Sequence, residues 1–172
     1  MSTVVDDLRD PELVWWPDTP LAHHVTLEVF TEQPPRQWPM GEVVPLPQHM
    51  PKGATPRPFL VAGYTLHVGP GWELLTVEGS ERPVAVYRRT YGIRVDDDHQ
   101  RRGLGVMMCV WRTENRGHLP REKKIKRGES SWRMRKKAHR ILVERALQRG
   151  CLVPADVLAD YPDLTKGVDD GS

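Results

Sequence analysis

Residues 93–109 read IRVDDDHQRRGLGVMMC, and the fold turns on this stretch. Ile93 to Val95 end an apolar strand candidate, and Asp96 to His99 form a polar loop. Gln100-Arg101-Arg102-Gly103-Leu104-Gly105 then opens a helix. Leu104, Met107, Met108 and Trp111 recur at helical spacing, which predicts a helix over Gly103 to Arg116 with Gly117 as its stop. Such a strand-to-helix turn favours anions. The first amides of a helix have no partner within it, and the macrodipole places about half a positive charge at that end. Glycines at 103 and 105 remove side chains that would hold a phosphate away from the main chain. Arg101 and Arg102 add cationic reach, so the turn suits a pyrophosphate. The plainer alternative is a packing turn with solvated arginines.

Upstream the pattern is β. Phe59 to Val68 is rich in Val, Leu and Tyr, and Gly69-Pro70-Gly71 marks a turn. Trp72 to Val77 and Pro83 to Arg88 flank Glu78-Gly79-Ser80-Glu81 at hairpin spacing, and Thr90 to Val95 forms a further strand candidate. The expectation is a mostly antiparallel sheet of about four or five strands. Earlier still, eleven of the sixteen prolines fall in the first sixty residues. Gln33 to Pro58 therefore reads as an extended surface loop, pinned by Trp38 and Met40. His24 to Phe30 (HVTLEVF) alternates and reads as a strand.

Downstream, His118 to Gly128 reads as a basic linker. Ser130 or Ser131 opens a second helix to Gln148, with Met134, Ala138, Ile141, Leu142 and Ala146 as its apolar stripe and Gly150 as its end. Pro154 opens a short helix reaching Tyr161, stopped by Pro162. The fold class is α+β: a mostly antiparallel sheet, the strand-loop-helix unit, then a C-terminal helical extension. The expected organisation is a core over 1–117 with the proline-rich loop at 33–58, a basic linker and helical element over 118–164, and a flexible tail over 165–172.

The run Gln100-Arg-Arg-Gly-Leu-Gly105, between an apolar strand and an apolar helix, resembles the coenzyme A pyrophosphate loop of the GNAT superfamily of N-acyltransferases. Its Gln/Arg-x-x-Gly-x-Gly/Ala pattern is filled by Gln100, Gly103 and Gly105. The resemblance implies acetyl-CoA or another acyl-CoA as co-substrate. Its pyrophosphate would rest on the amides of residues 101–105, with Arg101, Arg102, Gly103, Leu104 and Gly105 as cofactor-binding residues beside Gln100. The pantetheine arm would pair with the backbone of Ile93, Arg94 and Val95, and an amine would attack the thioester directly. The family places a further strand and a tyrosine-bearing helix after this unit. No tyrosine lies between Tyr91 and Tyr161, so Tyr161 is the later candidate for the acid that protonates the thiolate. Glu73, on a central strand, is the candidate base, with Glu78 and His67 as neighbouring options.

Other chemistries find less. Asp96 to Asp98 lack the ligand spacing of a calcium loop, and the adjacent His23 and His24 diverge on a strand, so no metal is expected. Cys109 sits among Val106, Met108 and Val110 as a core thiol, and Cys151 has no evident activating partner. The chain carries no Gly-x-Ser-x-Gly elbow, no Gly-Lys-Ser/Thr phosphate loop and no His-Glu-x-x-His.

The 172 residues suffice for one domain with a core and are tight for two. Net charge is +2, but Arg121 to Arg140 holds ten Lys and Arg against two Glu, which leaves the rest of the chain net acidic. Lys123, Lys124, Lys126 and Arg127 with Trp132 give the alternative reading: a non-enzymatic phage- or plasmid-type protein that grips nucleic acid or a protein partner through 121–140. Ala138 to Leu164 resembles a segment of bacterial and phage mobile-element proteins, in which Val157, Leu158 and Tyr161 would fold back on the preceding helix or dock a partner. No apolar run approaches the roughly 18 residues of a membrane span. Met1 to Asp10 is acidic without an apolar core, and two cysteines make no disulfide framework, so a reducing cytoplasm is expected.

Overall fold

The computed structural model describes residues 21–33, 46–88, 92–116, 123–124 and 130–166. In chain order it holds helix α1 (Leu27–Phe30), strands β1 (Glu32–Gln33), β2 (Thr55–Arg57), β3 (Tyr64–Gly69), β4 (Trp72–Val77), β5 (Pro83–Arg88) and β6 (Gly92–Val95), helix α2 (Leu104–Arg116), strand β7 (Lys123–Lys124), and helices α3 (Ser130–Gln148) and α4 (Ala155–Leu158). Short 3-10 turns cover Ala22–His24, Asp97–His99 and Pro162–Leu164. The chain is α+β. It divides into two compact units, Pro34–Trp111 and Met1–Gln33 with Arg112–Ser172.

The first unit is a five-stranded antiparallel meander in the order β2-β3-β4-β5-β6. Cross-strand rows such as Leu66, Leu75, Ala85 and Val95 place alternate residues on one face. Leu66, Leu75 and Ala85 are fully buried there. On the opposite face Leu74 and Val86 pack with Trp72, Leu46 and Met50. The central strands β4 and β5 are thus buried on both faces, which explains their continuous apolar reading. The hairpin turn is closed by Ser80 N–H donating to the Val77 carbonyl, 2.9 Å.

Two sheet boundaries differ from expectation. Phe59 to Gly63 are not extended in the sheet, so β3 starts only at Tyr64 and extends to Gly69. The reading of Gln33 to Pro58 as loop misses β2, whose Thr55–Arg57 pair with Leu66–Val68. Pro56 is tolerated there because β2 is an edge strand. Trp38, Met40, Thr90 and Tyr91 lie outside the described residues.

The second unit is built around α3. His24 to Phe30 is helical, not extended: Thr26 caps α1, its Oγ1 accepting from Val29 N–H at 3.4 Å, and Thr31 Oγ1 donates to the Leu27 carbonyl at 2.9 Å. Phe30 is the fully buried residue of this stretch, while Val25, Leu27 and Val29 are half-buried. Val143, Val157 and Tyr161 form a core with Leu147, Val153 and Leu164, so the C-terminal segment folds back on α3. α3 stops at Gln148, with the left-handed Gly150 just beyond it as expected. Cys151 N–H reaches the Ala146 carbonyl and Gly150 N–H the Leu147 carbonyl, a Schellman pair. The short helix after Pro154 stops at Leu158, before Tyr161. Lys123–Lys124, within the expected linker, pair antiparallel with Glu32–Gln33. Among the described residues no helix is long and apolar enough to cross a membrane.

Candidate functional site: the turn between β6 and α2

β6 is the last strand of its sheet and, among the described residues, pairs with β5 alone. After Val95 the chain makes the 3-10 turn Asp97–His99, passes through Gln100 to Gly103, and enters the 13-residue helix α2. Two residues bend it by taking left-handed backbone angles, Arg101 at φ 62° and Gly103 at φ 77°. For Arg101 that angle is uncommon, and it marks the turn as held in place by its surroundings. Arg101, Arg102 and Gly103 are exposed, and a Cβ built on Gly103 would meet only open space. Leu104, by contrast, is buried at 1% and anchors the helix start.

Polar side chains brace this turn. Asp96 N–H donates to the Val84 carbonyl, 2.8 Å, and the Asp96 carboxylate lies 3.7 Å from Arg82. Asp97 lies 3.6 Å from Arg94 and accepts from Gln100 Nε2 at 3.0 Å. Gln100 Nε2 also donates to the Val95 carbonyl, 3.3 Å. Asp96 and Asp97 are therefore bracing groups, and Gln100 ties the loop back to β6 rather than reaching out. On the other side, Arg102 Nη1 donates to the Tyr64 hydroxyl at 3.1 Å, and that hydroxyl lies 3.0 Å from His99 Nδ1. The Tyr64 hydroxyl thus links the Arg102 guanidinium to the His99 ring. Tyr64 and His99 are the residues sequence reasoning missed. They stand 35 positions apart, and no spacing rule joins them.

The remaining candidates fall as follows. Glu73 is not a solvated strand residue: it is buried at 1%, in a cross-strand row with Val68, Tyr87 and Ile93. His67 pairs with Leu74 and so projects from the opposite face; its Nε2 lies 2.9 Å from Thr76 Oγ1, and burial holds its pKa below the ordinary value. Glu78 is exposed on the hairpin turn. Tyr161 belongs to the other unit, is buried at 3%, and lies 2.7 Å from His139 Nδ1. Burial first, and Asp160 next, push its ionisation upward. Trp132 is half-buried with Lys136 Nζ 5.2 Å over its ring. Lys126 and Arg127 lie outside the described residues, as do the side chains of Lys123 and Lys124. Cys109 and Cys151 are buried free thiols.

No protein-family model, curated protein or solved structure matches this chain.

Proposed function

We propose that the chain binds acyl-coenzyme A and transfers the acyl group to an amine of a small molecule or protein, as the GNAT N-acyltransferases do. One observation carries this reading: the exposed turn Arg101–Gly103, bent through two left-handed residues, joins an edge strand to a 13-residue helix. The first amides of α2, which have no partner within the helix, and those of the exposed turn before it donate to the pyrophosphate, with Arg101 and Arg102 screening its charge. The edge of β6 that pairs with no strand among the described residues supports the pantetheine arm, whose amides add to Ile93–Val95 as a further strand would.

The reaction needs little from the protein beyond placement. The neutral amine attacks the thioester carbonyl carbon, a C–N bond forms, and the C–S bond breaks. The displaced sulfur leaves as thiolate, and the proton lost by the nitrogen restores the thiol. Glu73 stands in one cross-strand row with Ile93, two strands in from the pantetheine edge, which supports it as the base acting through a water. Tyr161 is less suited to the acid role, since its hydroxyl is already engaged by His139.

A thermal-shift panel of acyl-CoAs against the wild type and the Gly103→Val/Gly105→Val variant tests this reading. Acetyl-CoA raises the melting temperature of the wild type by mass action and not that of the variant. Arg102→Ala, which leaves the glycines intact, reduces the shift. No shift with any acyl-CoA overturns the proposal.

A further inference from the structure

At the start of β3 the first unit carries a groove of about 440 Å³, lined by Pro56, Pro58, Phe59, Tyr64, Thr65 and Glu78 among others. That volume lies within the usual range of small-molecule sites. The groove lies at the same end of the sheet as the turn after β6. Tyr64 pairs with Val77 at the mouth of the hairpin, and Asp96, just past β6, bonds back to Val84 and Arg82 beside that hairpin. One residue joins the two places. Tyr64 lines the groove, and its hydroxyl accepts from Arg102 of the turn. The groove and the anion-favouring turn are therefore one tyrosine apart.

The lining narrows the occupant. Prolines and the Phe59 ring offer flat apolar surfaces, which suit a planar heteroaromatic ring better than a chain. Arg57, the cation of the groove, donates from Nη1 to the Pro56 carbonyl, 3.3 Å. Glu78 brings an exposed carboxylate, an acceptor for an amino group on such a ring. We propose that the groove receives the adenine end of a nucleotide whose pyrophosphate rests on residues 101–105. This rests on the acyl-coenzyme A reading and extends it, making the two sites halves of one nucleotide-binding surface with Tyr64 as the shared wall.

Calorimetric titration of the full chain separates the two ideas. The ligands are coenzyme A, ADP, IDP, inorganic pyrophosphate and 4′-phosphopantetheine, against the wild type, Phe59→Ala and Glu78→Gln. Both substitutions lie outside the strands and leave the sheet register untouched. Phe59→Ala weakens coenzyme A and ADP about tenfold, the scale of one lost base-stacking contact, and leaves pyrophosphate and phosphopantetheine unchanged. The wild type prefers ADP, with its amino group, over IDP, and Glu78→Gln loses that preference. Coenzyme A binding the wild type and both variants equally overturns the groove and leaves the acyl-coenzyme A reading standing. Equal losses for pyrophosphate and coenzyme A also overturn it, because the substitution then acts through the turn. A wild type that binds neither coenzyme A nor ADP overturns both.

Discussion

Arg102 reaches from the turn before α2 to the hydroxyl of Tyr64 on β3, 3.1 Å away. The cation expected to add reach to the turn is thus tied to the sheet. The same hydroxyl holds His99. An anion arriving at the turn meets a guanidinium whose position is already set, which lowers the ordering cost of binding.

Tyr64→Phe removes that reference without removing the ring. The expected outcome is a modest stability loss of about 1 kcal/mol by denaturant titration. Coenzyme A affinity falls several-fold by calorimetry with the charge of the loop unchanged. An affinity equal to wild type would show that Arg102 needs no positioning.

Gly69 leaves room for Trp72, whose indole occupies the space a Cβ on Gly69 would take. Trp72 packs in turn on Leu74 and Val86. Gly69→Ala forces the ring off this cluster and costs about 1–3 kcal/mol, the range for overpacking. Gly69→Ala combined with Trp72→Leu recovers part of the loss, which urea unfolding of the two variants checks.

The hairpins and both long helices were legible because each has local punctuation: Gly69-Pro70-Gly71, the Glu78–Glu81 turn, and the Gly150 stop. The stretch 24–30 was not. A period of two over a few residues fits one helical turn as well, and the cap on Thr26 decides it. β2 was hidden by its proline, and the burial of Glu73 by the exposed look of an acid on a strand. In the candidate site the turn itself was readable from Gln100 to Gly105, while its braces were not. Tyr64 with His99 and Arg102, and Asp96 with Arg82, are tertiary pairs with no sequence period to announce them.

His139 is the clasp of the helical unit. It is fully buried, Nδ1 2.7 Å from the Tyr161 hydroxyl, Nε2 donating to the carbonyls of Ala22 and Val25, and its ring stacks on Phe30. His139→Leu costs about 2–4 kcal/mol: the buried Tyr161 hydroxyl loses this partner, at about 1–3 kcal/mol, and the part-buried Val25 carbonyl loses its bond as well, while the Ala22 carbonyl keeps Val25 N–H. Amide exchange accelerates first across residues 22–31. Tyr161 adds a pH signature. Its folded-state ionisation is pushed above the ordinary value of 10.0, so its contribution to stability is complete below pH 10 and is lost as pH rises beyond it. Stability of the wild type therefore declines more steeply above pH 10 than that of Tyr161→Phe. Parallel curves would place the Tyr161 hydroxyl in contact with solvent.

Acyl-coenzyme A binding depends above all on the amides of the turn and of the first residues of α2 holding a pyrophosphate. Amide nitrogen–proton NMR spectra recorded during titration with coenzyme A test it residue by residue. Saturable shifts are expected on residues 101–105, with smaller ones along Ile93–Val95, and both are lost in the Gly103→Val/Gly105→Val variant. Amides of 101–105 that stay unmoved up to millimolar coenzyme A would contradict it.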